Sequence, residues 1–176
     1  MHSATSRMIF YSALILIGVA TSMRAAALQV CAAGLTLSAP NSRYAVQTDT
    51  SQVKDLQTGL IWQRCGLGQT WNGTVCTGTE SALTWSAAVA AGGVSGGVTW
   101  RLPNIRELTS LMDMACASPA VNTAMFPSVP FNGTYWTSTS VSTDHSRAWF
   151  VTASDGGMGY AGKVNLNSVL LVRSSP

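Results

Sequence analysis

Charge is scarce in this 176-residue chain: Asp, Glu, Lys and Arg make up 10% of it, against about a quarter in ordinary soluble proteins. The shortage is not that of a disordered tail, because 47% of the chain is hydrophobic and six residues are tryptophan. Ten basic and seven acidic residues leave a formal charge of +3. That is too little for a surface that must follow a phosphate backbone, so nucleic acid is excluded as a partner. Histidine occurs twice and no cysteine pair has C-x-x-C spacing, which removes the common zinc arrangements. No apolar run is long enough for a bilayer: Met8 to Ala20 has 13 residues, where a span takes about 20. Collagen triplets, heptads and internal repeats are also missing.

The run from Met8 to Ala20 has another explanation. Arg7 precedes it, small residues follow it, and Ala25-Ala26-Ala27 supplies an A-x-A exit, the pattern of a secretory signal peptide over residues 1–27. Val30 before Cys31 is too bulky for a lipid-attachment box. Cleavage after Ala27 leaves 149 of the 176 residues and removes Arg7 and Arg24, so the mature charge falls to +1 and His145 is the remaining histidine. The expected destination is the periplasm, the cell surface or the medium, with no membrane span in the mature chain.

All four cysteines lie in the mature part, and an even number in an exported chain predicts two disulfides. Four cysteines allow three pairings. We predict Cys65–Cys76, closing a glycine-rich loop whose glycines permit tight turns. Cys31–Cys116 then ties a loose lead-in to the end of the central helix.

Residues 28–52 read as an extended lead-in with a first strand at Arg43–Val46. Val53 and Leu60-Ile61-Trp62, joined at Thr58-Gly59, read as a hairpin. Cys65–Gly78 is a loop. Thr84 is placed to cap a short helix through Ala91, with Trp85, Ala88 and Val89 on one face. Val98–Trp100 is a short strand. Asn104 followed by Glu107 is a capping box, opening a helix whose stripe of Ile105, Leu108, Leu111 and Met112 ends near Met114. Pro119, Pro127 and Pro130 make residues 118–131 an irregular crossing. Tyr135–Thr139, Ala148–Thr152 and Val169–Arg173 read as strands, the last too continuously apolar for an exposed edge. Strand, two helices and several strands make a single α+β domain over residues 53–176.

Most of the tryptophans belong to the core on this reading, Trp62, Trp85, Trp100 and Trp149 among them, because each sits in a strand or a helical stripe. Trp71 has no regular element to bury it and lies beside Asn72, so these two are candidate ligand contacts. Thr143–Arg147 brings Asp144, His145 and Arg147 together. Three neighbours on one loop do not converge as a catalytic triad does, so they read as further ligand contacts. Binding is therefore expected on the loops 66–78 and 140–147, not on the helix after Asn104. Calcium needs six to eight oxygens with several carboxylates close together. Asp144 and Asp155 are isolated, so no metal and no cofactor is expected.

The run Val53-x-Asp55-x-x-Thr58-Gly59-Leu60-x-Trp62, Trp85 with Ala88, and Trp100-Arg101-Leu102-Pro103-Asn104-x-x-Glu107-Leu108 with Asp113 form an ordered series. Phe126-Pro127, Tyr135-Trp136-Thr137-Ser138-Thr139, Trp149 and Val172-Arg173 complete it. The series resembles an exported bacterial family named after the C-terminal domain of the Legionella collagen-like adhesin. The resemblance implies a C-type-lectin-like fold and, for the founding member, binding of sulfated glycosaminoglycans at a cell surface. Asp55, Trp62, Trp100, Arg101, Asn104, Glu107, Trp136, Trp149 and Arg173 are then structural, with Arg101 in a buried ion pair to Glu107 or Asp113. The leading expectation is a non-catalytic module that recognises a glycan or another surface ligand, as an adhesin or an accessory of a surface assembly. The alternatives are an enzyme related to the formylglycine-generating oxidases, which share the fold, and a structural subunit that self-associates or docks a partner.

Overall fold

The computed structural model describes residues 29–95, 97–127, 129 and 132–175. The signal segment expected over residues 1–27 lies outside them.

The N-terminal half opens with β1 (Val30–Cys31), β2 (Tyr44–Val46), β3 (Gln52–Asp55) and β4 (Ile61–Gln63). It continues with β5 (Thr70–Trp71), β6 (Cys76–Thr77), α1 (Trp85–Ala90), β7 (Gly93–Ser95) and β8 (Val98–Trp100). After α2 (Ile105–Thr109) come β9 (Cys116–Ala117), β10 (Thr134–Val141), β11 (Asp144–Thr152), β12 (Met158–Gly162) and β13 (Val172–Arg173). Two sheets organise them, one ordered β13-β4-β3-β2 and one ordered β10-β11-β12. The ribbons β1–β9, β5–β6 and β7–β8 are two-stranded, and every strand pair is antiparallel.

The expected hairpin forms, and Asp55 explains its turn. The Asp55 carboxylate accepts the Gln57 N–H at 2.9 Å and the Thr58 hydroxyl at 2.8 Å. Gly59, at φ +73°, donates its N–H to the Asp55 carbonyl at 2.8 Å, a left-handed position that glycine takes at no steric cost. The Arg43 guanidinium closes on the same carboxylate, its Nε 2.8 Å from Oδ1.

Neighbours in the β4 and β13 segments face opposite cores. Trp62, Leu170 and Val172 join Val53, Leu108, Leu111, Phe126 and Val151. Ile61, Val169 and Leu171 join Ala88, Trp100, Leu102 and Trp136. Both faces are covered, which accounts for the continuous apolar run at 169–172. The regular strand there is shorter than expected, Val172–Arg173, although Leu171 and Val169 still accept backbone bonds from Gln63 and Leu67.

The capping box at Asn104 is complete: its Oδ1 accepts the Glu107 N–H at 2.9 Å, and Glu107 Oε2 accepts the Asn104 N–H at 2.8 Å. The helix stops at Thr109, not near Met114. Past it the backbone pairs with the crossing segment instead, through an Asp113 N–H to Ala120 carbonyl bond and a Met112–Val121 bridge. Leu108, Leu111 and Met112 are buried as the stripe required. In α1, Ala88 is buried but Val89 is 44% exposed and Thr84 makes no side-chain cap bond, so that face is narrower than the sequence suggests.

Both disulfides form as expected, Cys31–Cys116 and Cys65–Cys76. Arg101 pairs with Glu107 through two 2.7 Å bonds. The Arg101 side chain is 41% exposed, so this ion pair is not buried. Asp113 serves elsewhere: it accepts the backbone N–H groups of Ala39 at 2.9 Å and Ala115 at 3.0 Å, fastening the lead-in to the helix end. The segment 140–147 is no open loop. β10 runs to Val141 and β11 begins at Asp144, leaving a tight turn.

Candidate functional site

Strand β11 alternates, and the alternation builds the site. Ala148 and Phe150 pack into the second core, with the Phe150 ring 6.5 Å from Trp136 in an edge-to-face contact. Arg147 and Trp149 take the other set of positions, where side chains of a strand face the opposite way. Val151, two residues on from Trp149, is packed in one core with Leu108 and Leu111 from the α2 region. Trp149 itself is half-buried at the edge of that cover.

Directly opposite Trp149 on β12 stands Tyr160. Their ring centroids are 5.6 Å apart at an interplanar angle of 82°, the edge-to-face arrangement favoured by ring quadrupoles. The Arg147 guanidinium carbon lies 5.4 Å from the Tyr160 centroid, and Arg147 Nε is 3.1 Å from Asp144 Oδ2. Asp144 Oδ1 accepts the Ser146 hydroxyl at 2.6 Å and its N–H at 3.0 Å. These bonds, with Arg147 behind them, hold the carboxyl below its ordinary range. Val141, Thr143, Asp144, Arg147, Trp149 and Tyr160 line a cleft of about 380 Å³.

The indole N–H groups of Trp71, Trp85 and Trp136 donate to Thr50, Thr137 and Leu83. Trp62 and Trp149 make no such bond among the described residues; the Trp62 N–H is sealed in the core, whereas Trp149 lines the cleft with its indole donor unspent. On its other side Trp149 borders a larger open groove of about 1010 Å³, walled by Ile105, Met112, Met114 and Met158 and edged by Arg43 and Arg106.

Of the residues singled out from sequence, Asp144 and Arg147 meet in the cleft. His145 is exposed and does not line it. Trp71 and Asn72 belong to the β5–β6 ribbon and its turn and do not line the cleft. The Arg64 guanidinium covers one face of Trp71 at 4.0 Å, and Arg64 is fixed in turn by the carbonyls of Met125, Ala124 and Thr50. Asn72 Oδ1 accepts the N–H groups of Thr74 and Val75, closing the ribbon turn. Of the tryptophans given to the core, Trp62 and Trp100 are buried and Trp85 is half-buried; Trp136 is buried as well, and the Arg173 guanidinium lies 5.4 Å from the Trp100 ring centroid. Trp149 is half-buried outside both cores, where a strand tryptophan was expected inside, and Tyr160 beside it carries no signal in the sequence. The apolar-in pattern of Ala148 and Phe150 was the available signal for Trp149.

All four cysteines are in disulfides. Among the described residues no group of three or more His, Cys, Asp or Glu side chains is placed to hold a metal ion. No helix among them is long and apolar enough to cross a membrane.

Two short helices, antiparallel sheets, two disulfides and a cleft on the longest hairpin define an α+β, C-type-lectin-like domain. The model of the Lcl C-terminal domain family matches residues 51–173. The chain therefore belongs to that family, named for the C-terminal domain of the Legionella collagen-like adhesin. No curated protein matches this chain in sequence.

Proposed function

We propose that this protein is an exported binding module that recognises a glycan in the cleft formed by Trp149, Tyr160, Arg147 and Asp144. The observation that carries the reading is the half-buried Trp149 ring with an unpartnered indole N–H, set beside a charged pair. A sugar ring presents an apolar face that stacks on an aromatic one, while its hydroxyls need fixed donors and acceptors at the edge. Arg147 supplies donors and Asp144 an acceptor, and each holds the other in place.

The family membership supports a surface-ligand role. The two disulfides favour an oxidising compartment. Asp144 is the one carboxylate lining the cleft among the described residues, which supports direct recognition over a calcium-bridged one. The oxidase alternative needs closely placed redox cysteines or a metal site, and the commitment of all four cysteines to crosslinks weighs against the first.

The test is a glycan array, heparin included, read with the wild-type domain and with Tyr160→Ala and Arg147→Ala. Both positions are on the surface, so melting temperatures should stay within a few degrees. Binding should fall about tenfold or more, a loss of about 1.4 kcal/mol. Equal binding by the wild type and both variants refutes the assignment of the cleft.

A further inference from the structure

We propose that the groove between α2 and β12 is a docking site for a polypeptide segment that carries apolar side chains flanked by carboxylates. This goes beyond the glycan reading and stands without it.

The walls come first. Met114 is 77% exposed and Met158 is 60% exposed, and with Ile105 and Trp149 they leave an apolar surface uncovered. Methionine is unbranched and polarizable and moulds to varied apolar side chains, which is why it recurs on peptide-binding surfaces.

The hydroxyl groups of the lining are spent within the protein, and the Gln57 side-chain amide is left without a bond among the described residues. The Thr58 hydroxyl donates to Asp55 at 2.8 Å, the Thr109 hydroxyl to the Ile105 carbonyl at 2.6 Å and the Ser110 hydroxyl to the Glu107 carbonyl at 2.7 Å. Ser38 Oγ is likewise engaged with Asp113. Few donors remain for the hydroxyls of a sugar, so the groove differs in kind from the neighbouring cleft.

Charge then selects the occupant. The ionisable lining residues are Arg43 and Arg106, and no carboxylate lines the groove among the described residues. Arg43 is neutralised by Asp55. Glu107, next to Arg106 in the helix, is turned to Arg101 and the Asn104 N–H. The Arg106 side chain therefore has no ion pair or hydrogen bond among the described residues. A cation without a counterion beside an apolar trough favours a ligand that brings a carboxylate. A second copy fits poorly: docked about a twofold axis through the groove, it would set Arg106 near its own equivalent.

The experiment is fluorescence anisotropy of the full mature chain with three short labelled peptides, alternating leucine–glutamate, leucine–lysine and serine–glutamate. The leucine–glutamate peptide should bind about tenfold tighter than either of the others. Arg106→Glu should reverse the preference between glutamate and lysine peptides, and Met114→Ser with Met158→Ser should abolish binding of the first. Val164→Ser, exposed and outside the groove, should leave it unchanged. Melting curves confirm that each variant is folded, and Met158→Gln alone replaces the double variant if that one melts early. Equal binding of the three peptides, or no effect of Arg106→Glu, overturns the proposal. So does displacement of the peptide by phosphatidylglycerol vesicles, which would make the groove a lipid contact, or a dimer dissolved by Met114→Ser, which would give it to a second copy.

Discussion

Trp149 and Tyr160 face each other across neighbouring strands with their rings nearly perpendicular, at 82° and 5.6 Å. That relationship depends on how closely β12 lies on β11. Opposite Phe150 stands Gly159, and a Cβ added there would come within 2.5 Å of the Phe150 ring. Only a residue without a side chain lets the strands pair at this register while Phe150 fills the core.

Gly159→Ala should therefore push Phe150 off its position and cost about 1–3 kcal/mol, the usual penalty of overpacking. Denaturant unfolding measures it, and Phe150→Leu in the same background should recover part of the loss. An unchanged midpoint would mean that the ring moves aside freely.

Asp113 predicts a second loss, remote from the cleft. Its carboxylate satisfies the N–H groups of Ala39 and Ala115. Asp113→Ala leaves both without that acceptor and should cost about 2–3 kcal/mol. Asp113→Asn keeps one acceptor oxygen and should cost less. Chemical denaturation of the two variants against the wild type reads the order.

Acid and base should act through different carboxylates. Burial pushes Asp55 and Asp113 up, but the bonds from Arg43, Thr58 and Gln57 to the first, and from Ala39, Ala115 and Ser38 to the second, outweigh it and hold both below their ordinary range. A group lowered by folding stabilises above its unfolded value, and that stability is lost as pH falls through the folded one. Glu80 is the reverse case. Burial raises it, and the bonds from Tyr135 at 2.7 Å and Ser168 at 2.9 Å only partly offset this. Its contribution is complete below the unfolded value, ordinarily 4.5, and is lost as pH rises through the folded one. The melting temperature of Glu80→Gln relative to wild type should thus be more favourable at neutral pH than in acid. A difference that does not change with pH would contradict the assignment.

Loop length ranks the disulfides. The Cys31–Cys116 closure spans 85 residues and the Cys65–Cys76 closure 11. The chain-entropy argument gives about 4–5 kcal/mol for the first and roughly 3 for the second. Unfolding of the two double-alanine variants, Cys31→Ala with Cys116→Ala and Cys65→Ala with Cys76→Ala, tests that order.

Substitution of Trp71 tests whether that ring is structural or binds. With Arg64 over its face, Trp71→Ala should lower stability by about 1–2 kcal/mol through the lost cation–π contact and leave glycan affinity unchanged. Weaker binding at an unchanged melting temperature would return Trp71 to the site.

What the sequence made legible was chemistry acting over a few residues. The capping box at Asn104, the turn at Thr58-Gly59 and the closure of Cys65 on Cys76 each follow from neighbours in the chain. The Cys31–Cys116 link was reached from the need to anchor a loose lead-in. The ribbon β1–β9 and strand β12 were not legible, because their pairing is set across the fold, by a disulfide in one case and by the fit of Gly159 on Phe150 in the other. Trp149 was placed in the core because strand tryptophans usually are. The packing of Val151 with Leu108 and Leu111, two residues along the strand, is a tertiary fact, and it leaves Trp149 at the edge of that cover. Asp144 and Arg147 stand out in the sequence for their chemistry, although their setting is a strand end and not a loop.

The most direct test of the glycan cleft is an isotope-edited NMR titration of the mature domain with a heparin-derived oligosaccharide and a neutral one of equal length. We predict that the sugar which binds shifts the Trp149 indole N–H together with the backbone signals of Asp144, Arg147 and Tyr160, leaving those of Trp71 and Asn72 in place. Shifts confined to the Trp71 ribbon, or none with either sugar at millimolar concentration, would contradict it.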